Sequence, residues 1–415
     1  MAGSTIDHLI AMTVFLGAIL IFVGLFNQTI QTAILYQRNR YLATKCSDLL
    51  DNMLLNPGTT YRINNKTVEW GKLDDIPKIF GLQDPEFTQY RLSPFSLMRL
   101  QSATGEPIYY PGTQQWYSNI TMGFGDFLLV STAKALNYST VAKLLGINNT
   151  YGFQLTITPI VSIAIEETRS GTPLKLTITV TGKGFPLANA NISYCLISVI
   201  KKQQQQGSYP TYSVMSGVSS TDNTGLAVLS FDDVSAGDSY ALIVYAHISG
   251  LFGVGYHQRV TEDKRYVIPF VESFKEGRVI LAHSYDVHKY GPPESAVFYN
   301  ATFVHLSEDF TLREVENFKG KIGKINYGHG SQFYYDNITL PLNPGILIIT
   351  YQSNNEYGIV LMPWGISAMA FPVVFGEDPS NKTWVATDIR QVLVDKVAYQ
   401  AKLALWSLEG YQVIG

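Results

Sequence analysis

Between Leu9 and Gln37 the chain carries no charged residue, and Leu9–Phe26 (LIAMTVFLGAILIFVGLF) is a run of apolar and small residues. About 20 such residues cross the hydrocarbon core of a bilayer as a helix. A helix that is apolar on every side exposes too much surface for water, so this segment belongs in a membrane or in the core of a polymer. Leu9, Phe15, Leu20, Phe22 and Leu25 are its candidate membrane or assembly contacts.

From Ile30 the pattern changes without a break. Apolar residues recur at Ile30, Ile34, Tyr41, Leu42, Cys46, Leu49, Leu50, Met53 and Leu54, while Gln37, Arg38, Arg40, Lys45 and Asp51 fill the other side. The spacing predicts one helix from Ser4 to Leu55, amphipathic in its second half and stopped by Asn56-Pro57-Gly58. At roughly 1.5 Å per residue it would be about 75 Å long, so half of it must pack on protein.

Ser4-Thr5-Ile6-Asp7-His8-Leu9-Ile10, following Gly3, resembles the signal of archaeal type IV pilins: Ser, a spacer, an acidic residue, an aromatic and Leu, then an apolar helix. The resemblance implies an archaeal source, cleavage by a prepilin peptidase between Gly3 and Ser4, and helices packed together as a filament core. It further implies that Asp7 neutralises the N-terminal amine of a neighbouring subunit, because an unpaired charge in an apolar core is costly. The leader, Met1-Ala2-Gly3, holds no Lys or Arg, and the chain is much longer than an ordinary major pilin. A minor pilin, a pilin-like surface protein or a simple anchored protein fits that length. An uncleaved signal anchor, with Asp7 at the membrane surface, is the competing reading.

Only 15% of the residues are charged, and 26 Tyr and 21 Phe accompany many Thr, Val and Ile, a balance that favours strands. A net charge of -3 gives no electrostatic basis for binding nucleic acid. The two cysteines, Cys46 and Cys195, supply neither a disulfide framework nor a thiolate metal site.

Asparagine argues the compartment. Sequons occur at Asn27 and, beyond the membrane segment, at Asn65, Asn119, Asn137, Asn148, Asn191, Asn300, Asn337 and Asn381. Read as candidate N-glycosylation sites, they place the C-terminal bulk outside the cell, although the positive-inside rule would hold Arg38, Arg40 and Lys45 in the cytoplasm.

The expected fold is mainly β behind a long N-terminal transmembrane and stalk α-helix (1–55). A small α+β module (56–158) follows, with a hairpin through Asn64-Asn65, a helix opened by Ser93-Pro94, a second helix capped by Ser139 or Thr140 and ended by Gly146, and a strand from Tyr151. Residues 159–258 hold seven short strand-like runs at sandwich spacing, with Pro210 placing the fourth at an edge. Their segments Gly184–Ala190, Thr221–Ala227 and Ala236–Tyr240 are similar to prealbumin-like and bacterial Ig-like modules of surface proteins. In those modules the Thr-Asp-x-x-Gly stretch is a hairpin turn, and the modules serve as spacers, stalks and adhesive units. Residues 259–415 read as a second β-rich domain. It ends in a helix, because Leu393, Val394, Val397, Ala401, Ala404, Leu405 and Leu408 fall at helical spacing between an Asp388 cap and Gly410; a hairpin, suggested by Val392, Val394 and Tyr399, is the competing reading, against which strict alternation fails.

Catalytic patterns are sparse. The seven histidines include no His-x-x-x-His spacing, and His283, Asp286 and His288 are the nearest to a metal constellation. Gly250, Gly253 and Gly255 lie between strands rather than at a strand-to-helix turn, and no Gly-x-Ser-x-Gly elbow occurs. The expectation is therefore no enzyme, no catalytic or metal residue and no cofactor. Tyr109, Tyr110, Trp116 and Tyr117 form the one candidate ligand surface, suited to stacking on a sugar. Two functions remain: a pilin-like structural or adhesive surface protein that self-associates through its helix, or a single-pass anchored protein that binds or hydrolyses glycans.

Overall fold

The computed structural model describes every residue except 1, 64–65, 87–89, 101–106, 121–127, 201–208, 260–265, 289–294, 308, 317, 329–332, 355, 366–371 and 409–415. The protein is mainly β behind one long helix, α1 (Ala2–Leu55), as its apolar run requires. Then come β1 (Thr60–Ile63), β2 (Lys66–Glu69), a 3-10 turn (Trp70–Lys72), β3 (Arg91–Leu92), α2 (Pro94–Leu100), β4 (Ile108–Tyr110), β5 (Gln115–Ile120), β6 (Leu128–Ser131), α3 (Tyr138–Leu144) and β7 (Tyr151–Pro159). The middle of the chain holds β8 (Val161–Arg169), β9 (Leu174–Gly182), β10 (Phe185–Pro186), β11 (Asn191–Ile200), β12 (Thr211–Ser220), β13 (Leu226–Phe231), β14 (Tyr240–Ile248) and β15 (Leu251–Arg259). The last third holds β16 (Val267–Ser273), β17 (Arg278–His283), α4 (Ser284–His288), β18 (Val297–Leu306), β19 (Leu312–Glu314), β20 (Lys321–Ile325), β21 (Tyr335–Thr339), β22 (Gly345–Ser353), β23 (Glu356–Trp364), β24 (Val373–Gly376), β25 (Ala386–Val394) and β26 (Val397–Ser407).

The middle strands form a sandwich of two sheets, β10-β9-β13 with β8 beside β9, and β12-β11-β14-β15. Its core is drawn from alternate residues such as Leu174, Leu176, Ile178 and Val180 of β9 against Leu242 and Val244 of β14. The fourth run is an edge strand, β12, with Pro210 just outside it. The Thr221–Gly225 turn is built as its residues dictate. Asp222 accepts bonds from the Thr224 and Leu226 amides at 2.8 and 2.9 Å, and Gly225 sits at φ +76, where a side chain would be strained.

Strands from before and after the sandwich share sheets. β3 and β7 lie in the order β24-β7-β26-β25-β3, and β4, β5 and β6 complete β21-β17-β16-β6-β5-β4. A third sheet, β19-β18-β22-β23 with β20 on β18, belongs to the last third alone. Among the described residues, β1–β2 is a sheet formed by 56–158 alone, the meander β4–β5–β6 extends a sheet shared with later strands, and β8–β15 make up two sheets of their own.

The chain end corrects the sequence reading. Residues 386–407 form a hairpin, not a helix, with Val394 paired to Val397 across Asp395 and Lys396, and Asp395 at φ +54 as a two-residue turn requires. Because β26 lies between β25 and β7 and is buried on both faces, its apolar residues do not alternate, and their spacing matches a helix by coincidence. A smaller correction concerns α3, whose cap is Asn137 rather than Ser139 or Thr140; its side chain accepts the Thr140 amide.

One buried cation fixes the region below the helix. Arg99 of α2 is fully buried and donates to the carbonyls of Lys134 (2.9 Å), Trp70 (2.7 Å), Leu73 (2.6 Å), Asp74 and Asp75, with its guanidinium against the rings of Trp70 and Phe274. Burial pulls its pKa down to about 10, still charged at neutral pH. In the sandwich, Glu167 of β8 takes two bonds from Arg259 of β15 (2.6 and 2.9 Å) and one from Tyr240 of β14 (2.7 Å), joining the two sheets. Burial raises the Glu167 carboxyl, but the bonds from Arg259, Ser170 and Tyr240 outweigh it and hold the group at about 2.

Arg99→Met should cost about 3–5 kcal/mol in denaturant unfolding, since it strands several buried carbonyls, and Arg99→Lys should recover only part of that. Glu167 has a folded pKa below its ordinary 4.5, so its contribution is complete above that value and is lost as pH falls toward about 2. Thermal melts between those limits should show Glu167→Gln with a flatter acid dependence than the parent chain.

Candidate functional site

α1 divides where the sequence changes character. From Ile6 to Tyr36 its apolar residues are exposed on every side, including Leu9 at 67%, Phe15 at 65%, Leu20 at 72%, Phe22 at 69% and Leu25 at 59%. It is long and apolar enough to cross a membrane. Asp7 is also exposed, and Gly3 and Ser4 lie within the first turns of the helix backbone.

From Leu42 onward the helix is docked. Leu42, Cys46, Leu49, Leu50, Met53 and Leu54 are buried and pack on β25 and β26. The Cys46 thiol donates to the Leu403 carbonyl at 3.4 Å. Arg390 of β25 grips the helix from the sheet, donating to both Asp51 oxygens at 2.9 and 3.1 Å and to Ser47 Oγ at 3.0 Å. The helix end is closed by the Leu82 amide on the Met53 carbonyl at 2.8 Å, a close approach that Gly81 permits: a Cβ there would lie 2.1 Å from the Asn56 oxygen. Sequence reasoning placed Asp51 on the polar face of the helix but missed Arg390, because nothing in the order of residues joins positions 339 apart.

The candidate ligand surface splits in two. β4 and β5 pair Tyr109 with Trp116 and Ile108 with Tyr117, so successive residues face opposite ways. Tyr109 (44%) and Trp116 (53%) face out with ring centroids 5.2 Å apart, whereas Tyr110 and Tyr117 are fully buried and pack on Phe270. The outward pair alone can meet a ligand.

The sequons are spread over the head. Asn137, Asn148, Asn191, Asn337 and Asn381 are exposed, and Asn300 is half-buried in β18, which is paired on both sides. Asn119 lies in β5, and Asn65 lies outside the described residues.

Of the residues nearest to a metal constellation, His283 and Asp286 are engaged in local structure. His283 Nδ1 accepts the Tyr285 amide, its Nε2 lies 3.2 Å from the Ser295 carbonyl, and Asp286 accepts the Gly328 amide at 2.9 Å. Among the described residues no group of three or more His, Cys, Asp or Glu is placed to hold a metal ion. Unforeseen from sequence is a cleft of about 740 Å³ lined by charged residues that include Glu69, Lys72, Asp84, Arg91, Glu314 and Asp395. Two ion pairs lie in its wall, Lys72 with Glu69 (3.3 Å) and Arg91 with Asp395 (3.5 Å).

No family model and no curated protein matches the sequence. Among solved structures the chain is similar to a two-domain fibronectin type III segment of chicken tenascin, at 8% identity over 50% of this chain and 99% of that one, with a TM-score of 0.16. It is also similar to red sea bream transglutaminase, at 11% identity over 76% of this chain and 44% of that one, with a TM-score of 0.19. Likenesses this slight establish no shared activity.

Proposed function

We propose that this chain is a pilin-like surface protein, processed between Gly3 and Ser4, that spans the membrane or enters a filament through α1 and carries its β-rich head outside the cell. The observation that carries the reading is the surplus of bare helix. Ile6 to Tyr41 extends about 54 Å beyond the head at roughly 1.5 Å per residue, against about 30 Å of bilayer hydrocarbon. Past Asp7 this bare helix is uncharged until Arg38, and it exposes Ile30, Ile34, Leu35 and Tyr36. Such a stripe gains by lying against like helices, which favours assembly over a lone anchor. In such an assembly Asp7 meets the freed amine of Ser4 on a neighbour, removing a charge that neither could bear alone. The exposed sequons on the head favour the outward orientation over the one that Arg38, Arg40 and Lys45 imply.

A second reading rests on the outward Tyr109–Trp116 pair, which suits a sugar face and would make the head a glycan-binding adhesin.

Intact-mass and N-terminal peptide analysis of protein from its native membrane should find Ser4 as the first residue and glycan mass on head asparagines such as Asn148 and Asn381. A retained Met1 would exclude the processed pilin. Titration of the full chain against a glycan array should show saturable binding lost at least tenfold in Trp116→Ala if the adhesin reading holds; no binding by the parent chain would remove that reading.

A further inference from the structure

Among the described residues most sheet edges are guarded: the long edge strands β15 and β23 are buried or half-buried over most of their length, and the others, β12 apart, are short or charged. β3 and β10 have two residues, β4 and β19 three, and β24 four behind Pro372. β20 and β21 carry Lys321, Lys324 and Asp336, β8 carries Glu166, Glu167 and Arg169, and β13 is short and closed off by Asp232 and Asp233. Short strands, charges and prolines are the usual devices that keep edges from pairing with other chains.

β12 has none of these. It is ten residues long, TYSVMSGVSS, with no charge and no proline, and pairs with β11 in unbroken register from Thr211 to Ser220. Among the described residues no strand and no backbone hydrogen bond occupies its other side. Its side chains are exposed as well, Val218 at 82% and Val214 and Met215 at 39% each.

We infer that β12 is a homotypic contact: it pairs antiparallel with β12 of a second copy, joining two four-stranded sheets into one. The choice of occupant rests on charge and symmetry. β12 holds no charge, so no register of a self-pairing sets like charges together, and Val214 and Val218 stand two residues to either side of Ser216 on one face, a self-complementary arrangement. A two-fold axis perpendicular to the sheet keeps each residue on its own face, so the pairing must join positions of the same parity. Placed at Ser216, the axis sets Val214 of each copy against Val218 of the other, on the face opposite the sandwich core. Both exposed valines are then covered, twice over, as a cross-strand apolar pair. Directly opposed side chains lie about 5 Å apart at Cβ.

One added strand buries less than the ~1,000 Å² that a stable free dimer needs, so the contact is weak in dilute solution. Two copies held by α1 in one membrane meet at an effective concentration of order millimolar, which makes a weak edge contact count. The pairing requires neither cleavage after Gly3 nor filament growth, and it stands or falls apart from them.

The test is register-specific cross-linking. Full-length Val214→Cys and Val218→Cys chains, purified separately, are reconstituted together in lipid vesicles and oxidised. The native Cys46 and Cys195 are buried and stay out of the reaction. The mixture should give a disulfide dimer at least ten times more abundant than either variant alone, because 214 meets 218 and not itself. Adding Ser216→Lys to both chains should abolish that dimer while leaving the melting temperature unchanged. No dimer in the mixture overturns the inference, whether the edge stays bare or takes a strand from another protein. Equal dimer from the single variants overturns it too, since that reports another register or association through α1 alone.

Discussion

The head is held together by an embrace between its two ends. The second half of α1, which the apolar stripe from Leu42 to Leu54 commits to burial, finds its partner in the hairpin of β25 and β26, more than 300 residues later in the chain. Apolar contact supplies most of that attachment. Arg390 sets its register, since two carboxylate oxygens of Asp51 and the hydroxyl of Ser47 fit its fork in only one position along the helix. The rest of the head hangs from this joint: β26 is in turn paired to β7, and β7 leads straight into the sandwich at β8.

The features legible in the sequence are those that local chemistry determines. The uncharged run, the Asn56-Pro57-Gly58 stop and the Thr221–Gly225 turn each depend on residues within a few positions, and each stands where they place it. Long-range pairing was illegible for the same reason. Residues 91–159 join strands beyond position 266, and no periodicity within either stretch reports that partnership. β26 misled because a strand buried on both faces loses its alternation. Arg99 gave no signal at all: a single arginine in a seven-residue helix looks like a surface charge until the five carbonyls around it are known.

The candidate ligand surface shows a different gap. Tyr109 and Tyr110 are adjacent, and Trp116 and Tyr117 likewise, so any hairpin through them must send one of each pair inward. Period-two geometry made that half of the answer available from sequence; which half faces water depended on Phe270, in a strand more than 150 residues away. The head therefore offers a narrow aromatic ledge rather than a four-ring platform.

The position of β26 also bears on how the protein comes to exist. A central strand supplied by residues 397–407 leaves β7 and β25 without their common neighbour until those residues have been synthesised. The helix, by contrast, is complete by Leu55. Until β26 is made, the buried face of α1 and the waiting edge of β7 lack their partner, and a chain that stops before β26 cannot close this sheet. Closure of this sheet is in effect a check that synthesis has passed β26.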